Sequence, residues 1–273
     1  MEEKITGSIV LYNTDPAEIF NTLQVWEASD ITGILYLVDN SPQQTDYSLQ
    51  RFQKVVYVFN DANLGYGSAH NIAIRKSINV SDYHVVINPD VFFAAGTLEQ
   101  LAAFMDNEPA VGQVMPKIFY PNGDVQYVCK LLPTPFDLIA RRFLHKAFSR
   151  KSAEVFQLKF TGYDRVMDVP YLSGCFMFLR NTALSSVGLF DERFFMYGED
   201  IDLSRRMHQQ YRTVFYPTVS VVHQHAASSY KNFKMLTVHM QNLTRYFNKW
   251  GWWIDRERTT VNKRILQSLG YRK

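Results

Sequence analysis

Apolar runs and amphipathic segments alternate through the first 115 residues of the chain. Short apolar runs are typical of buried strands, and helix-start signals such as Asp15 followed by Pro16 stand between them. The alternation predicts an α/β fold with a doubly wound, mostly parallel sheet. The predicted strands cover residues 5–12, 31–38, 55–59 and 84–87, with a fifth beginning at 111. The predicted helices cover 16–28, 68–78 and 97–107.

Polar residues follow each of the first four predicted strands. Asn13 follows the first strand, Asp39 ends the second, Asn60 follows the third and Asp90 follows the fourth. Ligands of open α/β sheets bind beyond the carboxyl ends of the strands. The pattern therefore predicts one polar edge of the sheet that could hold a ligand.

The second half of the chain is less regular. It contains an apolar run over 169–179, a helix start near Asn181 and a last strand over 219–223. Apolar residues then recur at three- and four-residue intervals over 233–250, and Gly251 follows as a stop signal. We expect this helical stripe to pack on the protein's own core. A capping box is also expected at 97–100, with Thr97 as its N-cap.

Composition excludes several classes of protein. An apolar share of 47% rules out a wholly disordered chain. The longest nearly apolar stretch, Val169 to Leu179, is much shorter than the ~20 residues that span a bilayer. The acidic, polar start is unlike a secretory signal, so a cytoplasmic location is expected. Two cysteines, Cys129 and Cys175, cannot build a disulfide framework or a Cys-rich zinc site.

Positive charge is concentrated at the C-terminus. Residues 230–273 hold ten Lys and Arg against two acids, whereas residues 1–229 hold 24 acidic and 19 basic residues. An anionic partner is therefore expected for the tail and not for the body. A second basic amphipathic pattern covers 134–151.

A glycine-rich segment at 65–71 resembles the dinucleotide-binding fingerprint but fails two of its requirements. Its sixth position is His70, and it follows the third predicted strand instead of the first. A dinucleotide site is therefore rejected. A glycine loop that enters a helix still allows close approach of a phosphate or a sugar.

Acids and histidines supply the candidate chemistry. Asp90 offers an oxygen ligand to a hard divalent cation, and His223 is a candidate ligand only if Asp90 lies nearby. Five acids fall within residues 191–202 and are mixed with aromatic residues. Burial beside apolar groups raises the pKa of an acid, as a general base requires. Helix capping and turn formation remain alternative roles for these acids.

These segments, in this order, resemble the family 2 glycosyltransferases, which have the GT-A fold, and in particular a bacterial rhamnosyltransferase-like branch. The resemblance covers roughly residues 5–229. It implies a GT-A domain over 1–229, with a nucleotide-binding half and an acceptor-binding half, and a helical extension over 230–273. The matching segments are 8–13, 38–41, 63–67 with Asn71, 87–91, 172–174, 187–192, 198–203 with Arg206, and 222–223.

The resemblance implies an inverting transfer of sugar from a nucleotide-sugar donor to an acceptor hydroxyl. It assigns Asp200 as the general base, with Glu199 as the alternative. It places Asp39 on the nucleoside base. The donor-binding residues that it implies are Tyr12, Asn13, Asp39, Asn63, Gly65, Gly67, Asn71, Asn88, Asp90 and Gly174.

The resemblance also implies a metal cofactor. Asp90 and His223 stand at the metal-binding positions of the family, and Mg²⁺ or Mn²⁺ would bind together with the donor diphosphate. Asn88 stands where many relatives have Asp, so one carboxylate of the family's triplet is missing. A weak site that depends on the diphosphate is therefore expected.

The partners implied are a nucleotide-sugar donor and a saccharide acceptor that is carried on a lipid at the inner leaflet. Deoxythymidine diphosphate-rhamnose is the first candidate donor, with UDP and GDP sugars left open. Residues 136–150 and the basic tail fit peripheral contact with the membrane, and packing on the protein's own core is an equal alternative for 136–150.

Other functions would use similar residues. A metal-dependent phosphatase or nuclease needs more clustered carboxylates than Asp90 supplies, and a glycoside hydrolase would not need a nucleoside site. Binding of nucleic acid is not expected, because residues 1–229 carry a net negative charge and the sequence has no recognisable nucleic-acid-binding motif. A catalytically inactive relative that acts as a scaffold remains an alternative.

Overall fold

The computed structural model describes residues 4–140, 150–224 and 233–271. Within these ranges the chain forms nine strands and eight α-helices. The strands are β1 Ile5–Leu11, β2 Thr32–Asp39, β3 Val55–Phe59, β4 Tyr83–Ile87, β5 Val91–Phe93, β6 Val111–Phe119, β7 Met167–Asp168, β8 Phe176–Arg180 and β9 Arg212–His223. The helices are α1 Pro16–Ala28, α2 Tyr66–Ser77, α3 Thr97–Asn107, α4 Arg150–Phe156, α5 Asn181–Val187, α6 Glu199–Gln210, α7 Phe233–Trp250 and α8 Arg256–Ser268.

All of these strands belong to one mixed sheet, in the order β3-β2-β1-β4-β8-β6-β9-β5, with β7 paired to β9. The first four strands of that order are parallel, as the alternation of strands and helices predicts. The middle of the sheet differs, because β8 runs antiparallel to both β4 and β6. The reversal brings the loop before β8 to the carboxyl end of β4.

Local signals set most element boundaries, with one clear exception. The Asp15 side chain caps α1 by accepting a hydrogen bond from the amide of Ala17 at 2.9 Å, as predicted. The expected capping box at 97–100 is wrong. Helix α3 begins after Gly96, which has φ +84°, and Thr97 is its first residue and makes no cap. A left-handed glycine at the turn takes the place of the side-chain cap.

Helices cover both faces of the sheet. On one face, α1 and α3 contribute to a large core in which Trp26 is fully buried and donates to the carbonyl of Gly33 at 2.9 Å. On the other face, α2, α5 and α6 enclose a smaller cluster around Met177 and Leu203. Layers on both faces leave the strand ends as the open edge of the sheet.

The C-terminal helices pack on the body of the protein. Helix α7 spans Phe233–Trp250, as the periodicity predicts, and Gly251 follows with φ +103°. Leu243 and Phe247 are buried and Trp250 packs beside them, so the predicted contact with the protein's own core is confirmed. Most of the basic pattern at 134–151 falls on residues 141–149, outside the described ranges. No helix in the described ranges has both the length and the apolar character to cross a membrane.

Candidate functional site

The ends of three parallel strands meet around the buried side chain of Asn40. Asn60 Nδ2 donates to Asn40 Oδ1 at 2.8 Å, and Asn40 Nδ2 donates to the carbonyl of Gly65 at 3.1 Å. The backbone amide of Asn13 donates to Ser41 Oγ at 2.7 Å. The predicted clustering of polar residues at one edge of the sheet is therefore confirmed here.

Asp39 is fully buried at the end of β2. Its Oδ1 accepts from the amide of Ser41 at 2.8 Å, and its Oδ2 accepts from the hydroxyl of Tyr57 at 2.6 Å. Burial and the charge of Asp39 raise the pKa of Tyr47 to about 12. Each oxygen of a carboxylate can accept more than one hydrogen bond, so these contacts leave acceptor capacity. Tyr12 stands at the rim and is more than half exposed.

The glycine loop before α2 lies against the loop at 190–197. Gly65 has φ +85°, and a Cβ there would approach the carbonyl oxygen of Phe195 to 2.2 Å. That same carbonyl accepts from the amide of Tyr66 at 2.8 Å. Asn63 Oδ1 accepts from the amide of Gly65 at 3.0 Å. Only glycine fits at this contact, because both the positive φ and the close approach exclude a side chain.

Asn71 also joins α2 to this loop. Its Nδ2 donates to the carbonyl of Phe190 and to Glu192 Oε1, both at 2.9 Å, and its Oδ1 accepts from the backbone amide of Phe190 at 3.1 Å. Gly67 lies against Phe190, since a Cβ at position 67 would be 2.8 Å from Phe190 Cβ. The structure thus places Asn71 and Gly67 behind the loop. Contact of either residue with a donor stays a prediction.

Asp90 and His223 meet at the ends of neighbouring strands. In the antiparallel pair of β5 and β9, Val91 is opposite His223. This register brings Asp90 Oδ1 to 3.3 Å from His223 Nε2. The condition set by the sequence for His223, that Asp90 lie nearby, is therefore met.

Gln126 holds the His223 ring in place. His223 Nδ1 donates to Gln126 Oε1 at 3.0 Å, while Gln126 Nε2 donates to the carbonyl of His223 at 2.6 Å. This leaves Nε2 as the nitrogen that faces Asp90. Burial lowers the pKa of His223, but hydrogen bonds to Asp90 and Cys175 outweigh it and raise the pKa to about 10.

These residues fit a divalent cation that brings other ligands with it. A carboxylate and an imidazole whose ring is fixed by an outer hydrogen bond are a common donor pair for metals, and a cation bound here would displace the proton between His223 Nε2 and Asp90. Within the described residues, however, no group of three or more His, Cys, Asp or Glu could hold a metal ion. A cation here would need further ligands, for which phosphate oxygens and water are suited.

The Tyr66 hydroxyl connects the two sides of the site. It lies 2.9 Å from Oδ1 of Asn88, beyond β4, and 2.7 Å from the carbonyl oxygen of Gly174, before β8. Burial raises the pKa of Tyr66 well above its usual range, and nearby acidic groups act in the same direction. Those groups are Cys175, Glu199, Asp200 and Asp90. Tyr66 therefore lies between the Asp90 side and the Asp200 side.

Asp200 lies in the first turn of α6 and is partly exposed. Its Oδ2 accepts from the amide of Gly174 at 3.1 Å and from the hydroxyl of Tyr171 at 3.3 Å, and its Oδ1 accepts from the amide of Ile201 at 2.8 Å. A Cβ at Gly174 would be 3.1 Å from Asp200 Cβ. The carboxylate is thus held in one orientation at the edge of the site.

Glu199 is in a different environment from its neighbour. It is buried, and its Oε2 has no hydrogen-bond partner among the described residues. Burial, and then the charge of Asp200, raises its pKa to about 8. A carboxyl in that state is mostly protonated at neutral pH.

The other three acids of the 191–202 segment are paired. Asp191 contacts Arg193 and Lys249, Glu192 contacts Arg75, and Asp202 contacts Arg206 and Lys249. Arg193 and Lys249 hold the pKa of Asp191 well below its usual range. The raised pKa expected for acids in this segment is therefore seen at Glu199 and not at Asp191.

Three residues of the site carry no role in the sequence interpretation: Gln126, Tyr171 and Tyr66. Gln126 lies 97 positions from His223, so no local pattern connects them. Tyr171 precedes the matching segment 172–174, and Tyr66 stands between two glycines of the loop. The position of Tyr66 was a usable signal, because glycines on both sides indicate that its backbone is closely packed.

The family model for Glycosyl transferase family 2 matches residues 11–185. The chain belongs to this family. It is 30% identical over 203 residues to the N-acetylglucosaminyl-diphospho-decaprenol L-rhamnosyltransferase of Mycobacterium tuberculosis, in strains CDC 1551 / Oshkosh and ATCC 25618 / H37Rv. The aligned part is 70% of this chain and 64% of the relative, so the chain spans less than two thirds of these relatives' length.

Solved structures of GT-A glycosyltransferases share the fold. A crystal structure of GalNAc-T7 with UDP, GalNAc and Mn²⁺ matches with a TM-score of 0.60 and 14% identity, over 81% of this chain and 43% of that one. S. aureus TarS 1–349 in complex with UDP matches with a TM-score of 0.55 and 14% identity, over 90% of this chain and 72% of that one. At these identities the likeness shows the GT-A fold alone.

Proposed function

We propose that this protein transfers a sugar, with inversion, from a nucleoside-diphosphate sugar to a hydroxyl group of a saccharide acceptor. The observation that carries the proposal is the bridge made by Tyr66. Its hydroxyl joins Asn88, beside the Asp90–His223 pair, to Gly174, whose amide holds Asp200. One side of the bridge suits a diphosphate, and the other side presents a carboxylate to an acceptor.

Asp200 is the general base of this proposal. It is partly exposed, and its hydrogen-bond donors fix its direction. It accepts the proton of the acceptor hydroxyl while that oxygen attacks the sugar from the side opposite to the diphosphate. A single displacement of this kind inverts the anomeric centre. Glu199 is less suited, because it is buried and mostly protonated at neutral pH.

The donor is held by the edge of the sheet. Asp39 would accept a hydrogen bond from the nucleoside base, with Tyr12 and Asn13 at the rim and Asn63 and Gly65 beside the sugar-phosphate. Asp90 and His223 would hold Mg²⁺ or Mn²⁺, which stabilises the charge of the leaving diphosphate. The Mn²⁺ and UDP of the GalNAc-T7 structure support this assignment by analogy of fold.

The Mycobacterium tuberculosis relative suggests the substrates. Its name describes the transfer of L-rhamnose to an N-acetylglucosaminyl-diphospho-decaprenol. We therefore take deoxythymidine diphosphate-rhamnose as the first candidate donor and a lipid-linked saccharide as the acceptor class. Such an acceptor places the reaction at a membrane surface on the cytoplasmic side.

A thermal-shift panel followed by a transfer assay tests the proposal. The panel compares dTDP, UDP, GDP and NAD, each with and without Mn²⁺. A saturating specific ligand is expected to raise stability by a few kcal/mol. One nucleoside diphosphate should shift the melting temperature in a Mn²⁺-dependent way, and NAD should not.

The transfer assay then supplies the corresponding nucleotide sugar and a lipid-linked N-acetylglucosamine. The expected product carries the sugar in the anomeric configuration opposite to that of the donor. Retention of configuration, or a shift with NAD alone, would overturn the proposal. Release of phosphate from simple esters without any transfer would favour a phosphoesterase instead.

A further inference from the structure

Two adjacent large apolar side chains stand in solvent between α7 and α8. Trp253 is 78% exposed and Ile254 is 85% exposed, the highest values among the large hydrophobic residues that the structure describes. Single exposed apolar residues are ordinary on a protein surface, but two consecutive ones at this exposure are not. We call residues 253 and 254 the apolar tip.

The backbone of the apolar tip is held from beneath by one buried guanidinium. Arg258 donates to the carbonyl oxygen of Trp252 at 3.2 Å and to that of Trp253 at 3.4 Å, and it also reaches the carbonyls of Pro133 and Gly251. These contacts use the carbonyls of the loop and leave both apolar side chains pointing away from the core. The tip is therefore presented to solvent by a fixed backbone.

A second buried cation secures this support. Arg205 is only 2% exposed and forms two hydrogen bonds to Asp255, at 2.8 and 2.9 Å. Asp255 in turn accepts from the amide of Arg258 at 2.9 Å and caps α8. Buried charge networks are costly to break because each charge left behind lacks solvation. The backbone that carries the apolar tip is therefore anchored to a buried charge network.

The exposed charged residues of α8, the helix that begins two residues after the apolar tip, are cations. Arg256, Lys263 and Arg264 are exposed on α8. The two acids of this region do not offset them, because Asp255 is buried and Glu257 pairs with Arg205 at 2.7 Å. Apolar and aromatic groups flanked by exposed cations match the interface of a bilayer that contains anionic lipid.

We propose that the apolar tip inserts into the interfacial layer of an anionic membrane, with the cations of α8 against the lipid headgroups. The inference rests on the proposed function, since it names the surface through which the enzyme reaches a lipid-linked acceptor. Tryptophan suits this position because its ring is apolar while its N–H can remain hydrated. The occupant is thus a lipid surface and not a protein groove.

Sedimentation with lipid vesicles tests the apolar tip. The vesicles contain phosphatidylcholine with roughly 30% phosphatidylglycerol, and matched vesicles contain phosphatidylcholine alone. The double variant Trp253→Ser/Ile254→Ser should bind the anionic vesicles about ten-fold more weakly or worse. The control Val80→Ser changes another exposed apolar residue, 60% exposed, in the turn after α2 and should bind like the wild type.

Fluorescence separates insertion from simple attraction of charge. Vesicles that carry brominated acyl chains should quench tryptophan emission of the wild type. Trp253→Phe should keep most of the binding but lose most of the quenching. The three remaining tryptophans are less accessible to the acyl chains, because Trp26 is fully buried and Trp250 and Trp252 are partly buried. Quenching that persists in Trp253→Phe would overturn insertion of the tip.

Other outcomes also decide the proposal. Equal binding of the double variant and the wild type would overturn it, as would self-association of the wild type that the double variant abolishes. Binding to vesicles needs no nucleotide, so the two proposals fail separately. Vesicle binding through the tip without any response to nucleoside diphosphates would refute the glycosyltransfer proposal alone. Transfer to a water-soluble acceptor without vesicle binding would refute only the proposal that the apolar tip inserts into a membrane.

Discussion

The backbone amide of Gly174 donates to Oδ2 of Asp200 at 3.1 Å, across 26 residues of sequence. Gly174 precedes β8, the strand whose reversed direction brings this loop to the end of β4. The contact therefore couples the sheet topology to the orientation of the proposed base. A side chain at 174 would crowd Asp200, because a Cβ there lies 3.1 Å from the Cβ of Asp200.

Replacement of the proposed base is the first prediction. Asp200→Asn keeps the shape of the side chain but removes its ability to take a proton, so turnover should fall by roughly 10²–10⁴-fold. The nucleotide-dependent thermal shift should be unchanged. Glu192→Gln, which alters an acid of the same segment that pairs with Arg75, is the control. Near-normal turnover of Asp200→Asn would show that another group is the base.

The support of His223 by Gln126 predicts a change in metal dependence. Gln126→Leu removes the acceptor for His223 Nδ1, so the Mn²⁺ concentration needed for half-maximal donor binding should rise by about 10–100-fold. Gln113→Leu is the matched control, because Gln113 is buried and its side-chain amide has no hydrogen-bond partner among the described residues. Equal metal titrations of the two variants would contradict the role of Gln126.

The raised pKa of Glu199 predicts how stability depends on pH. The pKa is about 8 in the folded protein, against an ordinary value of 4.5. Above the ordinary value the unfolded chain releases this proton while the folded protein still retains it, so rising pH favours unfolding. The free energy of unfolding should fall between about pH 5 and about pH 8, and Glu199→Gln should remove part of that fall. Urea denaturation at several pH values measures it, and parallel curves would refute the prediction.

Two glycines with nearly equal positive φ differ in what surrounds them. Gly65 has φ +85° and would place a Cβ 2.2 Å from the oxygen of Phe195, whereas Gly123 has φ +87° and nothing within 4 Å. Gly123→Ala should cost about 1 kcal/mol, and Gly65→Ala should cost about 3 kcal/mol or more. Only Gly65→Ala should weaken the response to nucleotide. Equal losses of stability would show that the Phe195 contact is readily relieved.

The buried network at Arg205 predicts a large loss of stability. Arg205→Met removes the cation that makes two hydrogen bonds to the buried Asp255, leaves only Arg258 at 3.8 Å, and should cost about 3–5 kcal/mol. Arg193→Met removes an ion pair from a side chain that is 70% exposed, so it should cost less than about 1 kcal/mol. Chemical denaturation compares the two. A small effect of Arg205→Met would show that α8 is not held by this network.

Local patterns predicted those parts of the molecule that depend on neighbouring residues. The predicted strand at 55–59 and the helices at 97–107 and 233–250 have the observed boundaries. The clustering of polar strand ends was also predictable, because parallel strands expose their carboxyl ends on the same edge. The capping box at Thr97 failed, since a left-handed Gly96 supplies an equally local alternative that the pattern does not exclude.

The order of the amino acids was enough to predict the strand and helix periods, the family resemblance and the set of polar residues available to a site. Which of these polar residues meet depends on the three-dimensional arrangement of the chain. The reversed β8 brings Gly174 to Asp200. The pairing of β5 with β9 brings His223 to Asp90. Arg205 contacts Asp255, which is 50 residues away in the sequence. The periods follow from backbone geometry within a few residues, whereas these contacts depend on strand order and on the packing of distant helices.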